Sequence, residues 1–323
     1  MTKIALAGDT MLGRGVAERL KTDPPGSLFS DELVEITRSA DLFLLNLECC
    51  ISTRGDPWPG PAKRFFFRAP PEAVEALKHL DVDCVTLANN HALDFGYDAL
   101  LDTIGYLNAA GITWVGVGRD LAEARMHKIV EARGHELAVL GVTDHPDAFA
   151  AAEDRPGVAF ADLHRGVPEW LSDSITATEG ESLLILVHWG PNMNPEPLDN
   201  IGSAAEAFVN DGATLVAGHS AHVFQGVRPR TIYDLGDFID DYATDPVLRN
   251  DLGLLWLVDI EDRDPPHVEA VPLKLDYCHT RLATDEDSEW IAHRLESACA
   301  GLGTSVHQRD GRLVIYETTE GLS

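Results

Sequence analysis

The chain has 323 residues, 45% of them hydrophobic and 24% charged, which is ample for a buried globular core. Its 53 acidic residues outweigh 25 basic ones, giving a formal charge of −28. That balance excludes nucleic acid as a general partner and repels any polyanion not met by a local cationic or metal site.

The N-terminus, "MTKIALAGDTMLG", enters a strand-like run at once, with no basic segment followed by a long apolar one. No later window reaches the ~18 uninterrupted apolar residues of a membrane span. Neither signal peptide nor membrane anchor is expected, and the expected location is cytoplasmic. In chain order, runs rich in Val, Ile and Leu at 4–8, 42–47, 84–88, 113–117, 183–187 and 214–217 are predicted strands. Helical patterns lie between them at 71–80, 98–110 and 202–210, with Pro71 suited to a first helical turn and Gly111 to a helix stop. This alternation predicts an α/β fold with a largely parallel core. Residues 127–143 read as a hairpin around "ARGHE", and 230–233, 254–260 and 268–275 as strands with few helices between them. A second, more antiparallel sheet packed on the first is the expectation. A helix over 287–300 and a strand at "RLVIYE" follow. No repeat or linker divides the chain, so residues 1–323 are read as one domain with a C-terminal helix and strand after about 280. Proline-rich loops at 54–64 and 190–197 are long enough to suggest function. The cysteines (Cys49, Cys50, Cys84, Cys278, Cys299) form no C-x-x-C pair, so neither a zinc knuckle nor a disulfide framework is indicated.

Ligands of α/β sheets collect at the carboxyl ends of strands. Polar residues recur at those ends here: Gly8-Asp9, Asn46-Leu47-Glu48, Asn89-Asn90-His91, His188-Trp189-Gly190 and Gly218-His219-Ser220-Ala221-His222. Each has an ordinary structural explanation. "GD" is a common turn, Glu48 could pair with an arginine, and Asn89, Asn90 or the better-suited Asp94 could cap a helix. His188 could be a satisfied core histidine. Their recurrence at one end of successive strands points instead to a metal site. Carboxylates, an amide oxygen and imidazoles suit Mn, Fe, Zn, Mg or Ca.

The ordered set "GDTMLGR", "NLECCIS", "FRAPPEAVEAL", "LANNHALDFG", "VHWG", "GHSAHVFQG" and "YDLGDF" resembles the CapA or poly-γ-glutamate capsule-synthesis family, over about residues 3–260. That family is similar to the calcineurin-like metallophosphoesterases. The resemblance implies a four-layer α/β/β/α sandwich, two mixed sheets flanked by helices, with two divalent metal ions between the sheet edges. It also implies that Asp9 binds the first metal, that Glu48 is the bridging carboxylate, and that Asn90 and His188 bind the second. His219 and His222 resemble a late histidine pair, one for each metal. His91 matches a proton donor to the leaving group, grouped with Asp94 as a catalytic candidate. Asn89 and Asp237 stand as supporting residues, Asp237 equally as a turn residue. Two departures are plain: Met11 occupies a position where metallophosphoesterases usually carry histidine, and the late pair is spaced His-x-x-His rather than His-x-His.

On the substrate side, Lys63, Arg64 and Arg68 form a candidate anion clamp in an otherwise acidic chain, with Arg14 as a second. Trp58 and Trp189 could wall an apolar pocket. The expected partner is a small-molecule or peptide substrate with an anionic group. Three functions fit: hydrolysis of a phosphoester or amide-like bond, metal-assisted proton abstraction or epimerisation at a peptide α-carbon, and a non-catalytic accessory role in poly-γ-glutamate or capsule synthesis.

Overall fold

The computed structural model describes residues 2–59, 63–178, 182–260 and 265–318. Residues 60–62 of the first proline-rich loop lie outside them. Two sheets pack face to face between layers of helix, giving the four-layer α/β/β/α sandwich. In the first sheet the strands Thr2–Thr10, Leu42–Leu47, Cys84–Thr86 and Thr113–Val115 run parallel in that spatial order. Antiparallel strands Leu252–Ile260 and His267–Asp276 extend the sheet beyond Thr2–Thr10. The second sheet sets His135–Thr143, Ser182–His188, Leu215–His219 and Thr231–Ile232 parallel, in that order.

Side-chain alternation along each strand decides which layer it feeds. Ile4, Leu6, Leu42 and Leu44 meet Val139, Leu184, Leu186 and Ala217 between the sheets. The alternate residues Ala5, Ala7, Phe43 and Leu45 face Leu33, Leu100 and Ile104 on the first helical layer. Ala138, Leu140, Ile185 and Val187 face Leu171, Ile175, Ala205 and Phe208 on the second. With both faces buried, the strands read as unbroken apolar runs.

Three expectations need correction. The 127–143 hairpin forms, Lys128–Ala132 pairing with His135–Thr143 through a turn with φ of 52° at Arg133 and 79° at Gly134. It belongs, however, to the mostly parallel sheet, while Leu252–Ile260 and His267–Asp276 join the first. Antiparallel strands are thus shared between two mixed sheets rather than gathered in one. Pro71 lies in a turn, and the helix begins two residues on, as Ala73–His79. "RLVIYE" forms Arg312–Glu317, but it pairs with a strand that the sequence did not reveal, Thr304–Arg309. The latter reads "TSVHQR", a polar edge strand with no apolar run to mark it. Among the described residues, no helix is long and apolar enough to cross a membrane.

Candidate metal centre

Register brings the polar strand ends together. Asp9 stands opposite Asn46 on one neighbouring strand and Asp237 on the other. Across the sandwich, His188 stands opposite both Thr143 and His219. Glycine is required beside each row because a returning segment passes close. A Cβ on Gly8 would lie 1.7 Å from the Gly236 carbonyl oxygen, and one on Gly218 would lie 1.9 Å from that of Tyr233. The glycines of "GD" and "GH" therefore admit the chain that carries Asp234 and Asp237.

Two groups of side chains offer ligand atoms within 4.8 Å of one another: Asp9, His222 and Asp237, and Asp9, Glu48 and His188. All of these residues are buried. The shared carboxylate is Asp9 rather than Glu48, the position expected to bridge. Asp237, expected as support or as a turn residue, is a member of a ligand group. His219 belongs to neither group at that separation. It is nevertheless fully buried, and neither ring nitrogen makes a hydrogen bond, although carbonyls of Val187 and Ala7 lie close. The Nδ1 of His222 lies 2.8 Å from Asp237 and 3.3 Å from Asp9. Ser220 and His222 adopt φ of 109° and 58°, an uncommon backbone for residues with a Cβ, which aims the imidazole inward.

The donor set fits divalent cations on a physical test. Both oxygens of Glu48, Nε2 of His188, both nitrogens of His219, Oδ1 of Asn90 and Oδ2 of Asp237 are buried without a hydrogen-bond partner. Groups so placed carry a full desolvation cost unless something binds them. Titration points the same way. Burial, then repulsion from Asp9, pushes Glu48 well above the carboxylate range, and burial does the same for Asp237. Burial would lower His222, but Asp237 and Glu48 outweigh it and hold its imidazolium well above the usual histidine range. A bound cation would supply the positive charge that these carboxylates draw from His222.

Around these groups the polar residues are ordered. Asn89 donates to the Oδ1 of Asn46 at 2.9 Å, and Asn46 in turn donates to the Oδ1 of Asp9 at 2.7 Å. Ser220 N–H donates to the other oxygen of Asp9 at 3.2 Å. Asp234 accepts from the amides of Ala221 and Gly236, both at 2.8 Å, and so fixes the histidine loop. Asn46 was named from the sequence only as a polar strand end, without a role, and Asp234 lay unremarked inside a quoted motif.

His91 flanks the cluster. Its Nδ1 lies 2.6 Å from Asp94, its Nε2 3.8 Å from Glu48, and its ring stacks on Phe67 at 3.9 Å. Burial lowers its pKa to about 4 against the pull of Asp94, so the ring of the metal-free protein is neutral at pH 7. Asp94 caps no helix. Its Oδ2 accepts from His91 and from Phe67 N–H, both at 2.6 Å, and its Oδ1 forms an ion pair with Lys63 at 2.7 Å. The helix Gly96–Ala110 starts without a side-chain cap.

The Lys63–Arg64–Arg68 clamp does not form. Lys63 is tied to Asp94 and to the Asn90 carbonyl, and Arg68 donates to the Arg54 and Gly55 carbonyls and lies over Phe95. Arg64 is exposed and outside the cavity lining. Trp189 is core, donating to the Tyr233 carbonyl and stacking on Phe208, and Trp58 packs on Tyr97 and Phe149. What opens beside the cluster is a cavity of about 550 Å³, lined in part by Arg14, Phe65, Phe67, His91, His222 and Tyr242. Arg14 is thus the candidate anion contact that does face it.

The chain is thus a four-layer α/β/β/α sandwich with carboxylates and imidazoles converging at its strand ends. Residues 3–242 match the family described as bacterial capsule synthesis protein PGA_cap, and the chain belongs to that family. A probable polyglutamine synthesis accessory protein of Mycobacterium tuberculosis is 29% identical, over 96% of this chain and 94% of that protein. The PGA biosynthesis protein CapA of Bacillus subtilis is 27% identical, over 88% of this chain and 79% of that protein. Among solved structures, a hypothetical protein from Thermus thermophilus superposes with a TM-score of 0.46 at 17% identity, over 82% of this chain and 98% of that one.

Proposed function

We propose that this chain is a metal-dependent hydrolase acting on a phosphoester or amide-like bond of a small or peptide substrate with an anionic group. The observation carrying this reading is the pair of groups sharing Asp9, with orphaned donor atoms around them, next to a cavity that His222 and His91 line. Asp9, Glu48, His188, His222 and Asp237 would hold two divalent cations, with Asn90 and His219 placed to add ligands. Such a pair supplies Lewis acidity and an activated water.

The chain's own residues do the rest. The amide relay from Asn89 through Asn46 fixes the orientation of Asp9. Arg14 presents a cation at the cavity wall to the anionic group of the substrate. Asp94 accepts the Nδ1 hydrogen of His91, which leaves Nε2 on the cavity side as a proton acceptor. His91 is thereby placed to exchange a proton with a substrate in the cavity it lines. In a second reading His91 removes a proton beside a carbonyl and the same site epimerises an α-carbon.

One experiment separates these readings. Protein loaded with Mn²⁺ is expected to turn over an aryl phosphodiester, and His91→Ala to lose on the order of 10²–10⁴ in kcat with metal content unchanged. Deuterium uptake at a substrate α-carbon without bond cleavage would move the assignment to the second reading. Metal-loaded protein showing neither would leave the accessory role that the mycobacterial relative's name states.

A further inference from the structure

We propose that the cavity takes a small molecule carrying one anionic group on an apolar, ring-sized body, and that it rejects polyglutamate chains. This rests on the reading of the cavity as the substrate side of the metal centre. Its volume, about 550 Å³, is that of a small-ligand pocket. Its walls are mainly apolar: Phe67, Tyr242, Met193 and Pro246 line it together with Phe65, which is 60% exposed. An aromatic ring left that bare beside a cavity has its contact area free for a ligand.

Charge sets the second half of the argument. Arg14 is the one arginine or lysine in the cavity lining among the described residues. Its guanidinium lies 5.8 Å from each of the ring centroids of Phe65, Phe67 and Tyr242, and 3.2 Å from Asp241. Its side chain is 38% exposed, so part of the donor fork remains open for one carboxylate or phosphate. The other lining group able to carry positive charge, His222, is already paired with Asp9 and Asp237. Asp245 lines the same cavity, held by the amides of Val247 and Leu248 at 2.8 and 2.9 Å. Lys63 and Arg68 are committed elsewhere. A polyglutamate chain brings a carboxylate with every residue to a protein of formal charge −28.

Calorimetric titration of the full-length protein, with and without Mn²⁺, tests the proposal. 4-Phenylbutyrate is expected to bind in the range of about 0.1–1 mM, and its neutral analogue 4-phenylbutanol at least roughly tenfold more weakly. Phe65→Ala should weaken 4-phenylbutyrate about tenfold, and Arg14→Gln should erase the preference for the anion. Poly-γ-glutamate should not compete. Competition by poly-γ-glutamate, or absence of 4-phenylbutyrate binding in the wild-type protein, would overturn the inference. If binding follows this pattern while metal-loaded protein turns over no phosphodiester, the hydrolase reading fails and the pocket specificity stands.

Discussion

Two acidic regions of this molecule treat buried carboxylates in opposite ways. On the antiparallel extension of the first sheet, Asp251 is buried between two cations. Arg249 contacts it at 2.8 and 3.0 Å and reaches Asp287 at 3.0 Å, and Lys274 closes the pair from the neighbouring strand. Although burial opposes it, these partners hold the Asp251 carboxyl below its usual range. At the strand ends, Asp9, Glu48 and Asp237 are buried more deeply still, yet they face histidines and one another rather than arginine or lysine. Paired acids hold a fold together, whereas acids crowded without fixed cations are a standing cost. That cost becomes useful when a cation binds.

The contrast can be broken by substitution, and the largest effect is expected at Glu48. Glu48→Gln should weaken metal binding about 100-fold, read by titration with Mn²⁺. In the metal-free protein the same change should raise Tm by roughly 2–4 °C at alkaline pH and little at acid pH, because the amide stays neutral in the buried site without having to hold a proton. An unchanged metal affinity would remove Glu48 from the site. Next, Asp251→Ala should cost about 2–3 kcal/mol in denaturant unfolding while leaving metal affinity unaltered, since it strands Arg249 and Lys274. A metal-site defect in that variant would erase the distinction between the regions.

The smallest effect sharpens the comparison through pH. Burial, then Asp9, raises Asp234 to about 8. Between about pH 4 and that value the folded protein holds a proton on Asp234 that the unfolded chain has released. Stability from this group is therefore lost as pH rises. Asp251 has the opposite sign, its contribution being lost only as pH falls below about 4. Relative to wild type, metal-free Asp234→Asn should gain stability steadily from pH 5 to pH 8 in thermal scans. A flat difference would show that Asp234 is not held protonated.

Much of this was legible in the sequence because parallel strands buried on both faces announce themselves as apolar runs, and their polar ends stand out against them. Asp9, Glu48, His188 and His222 were visible for that reason. Asn46 was visible as a polar strand end but carried no role, because only register shows it facing Asp9. The basic cluster at 63–68 misled for a different reason. Composition shows that cations are near in sequence but not that Lys63 folds back on Asp94 while Arg68 lies over Phe95. The strand Thr304–Arg309 was invisible because an edge strand need not be apolar.

The clamping of Asp9 has a mechanical consequence. One of its oxygens is held by Asn46, from the first sheet, and the other by Ser220, from the loop that ends a strand of the second. The carboxylate is thus a registration pin between two independently hydrogen-bonded slabs, and its position reads out their alignment. A slide of one slab past the other would strain the pin long before it separated the layers. Since misplacing a reacting group by about 1 Å can cost on the order of 10²-fold in rate, the alignment of the whole sandwich is part of the site's tolerance.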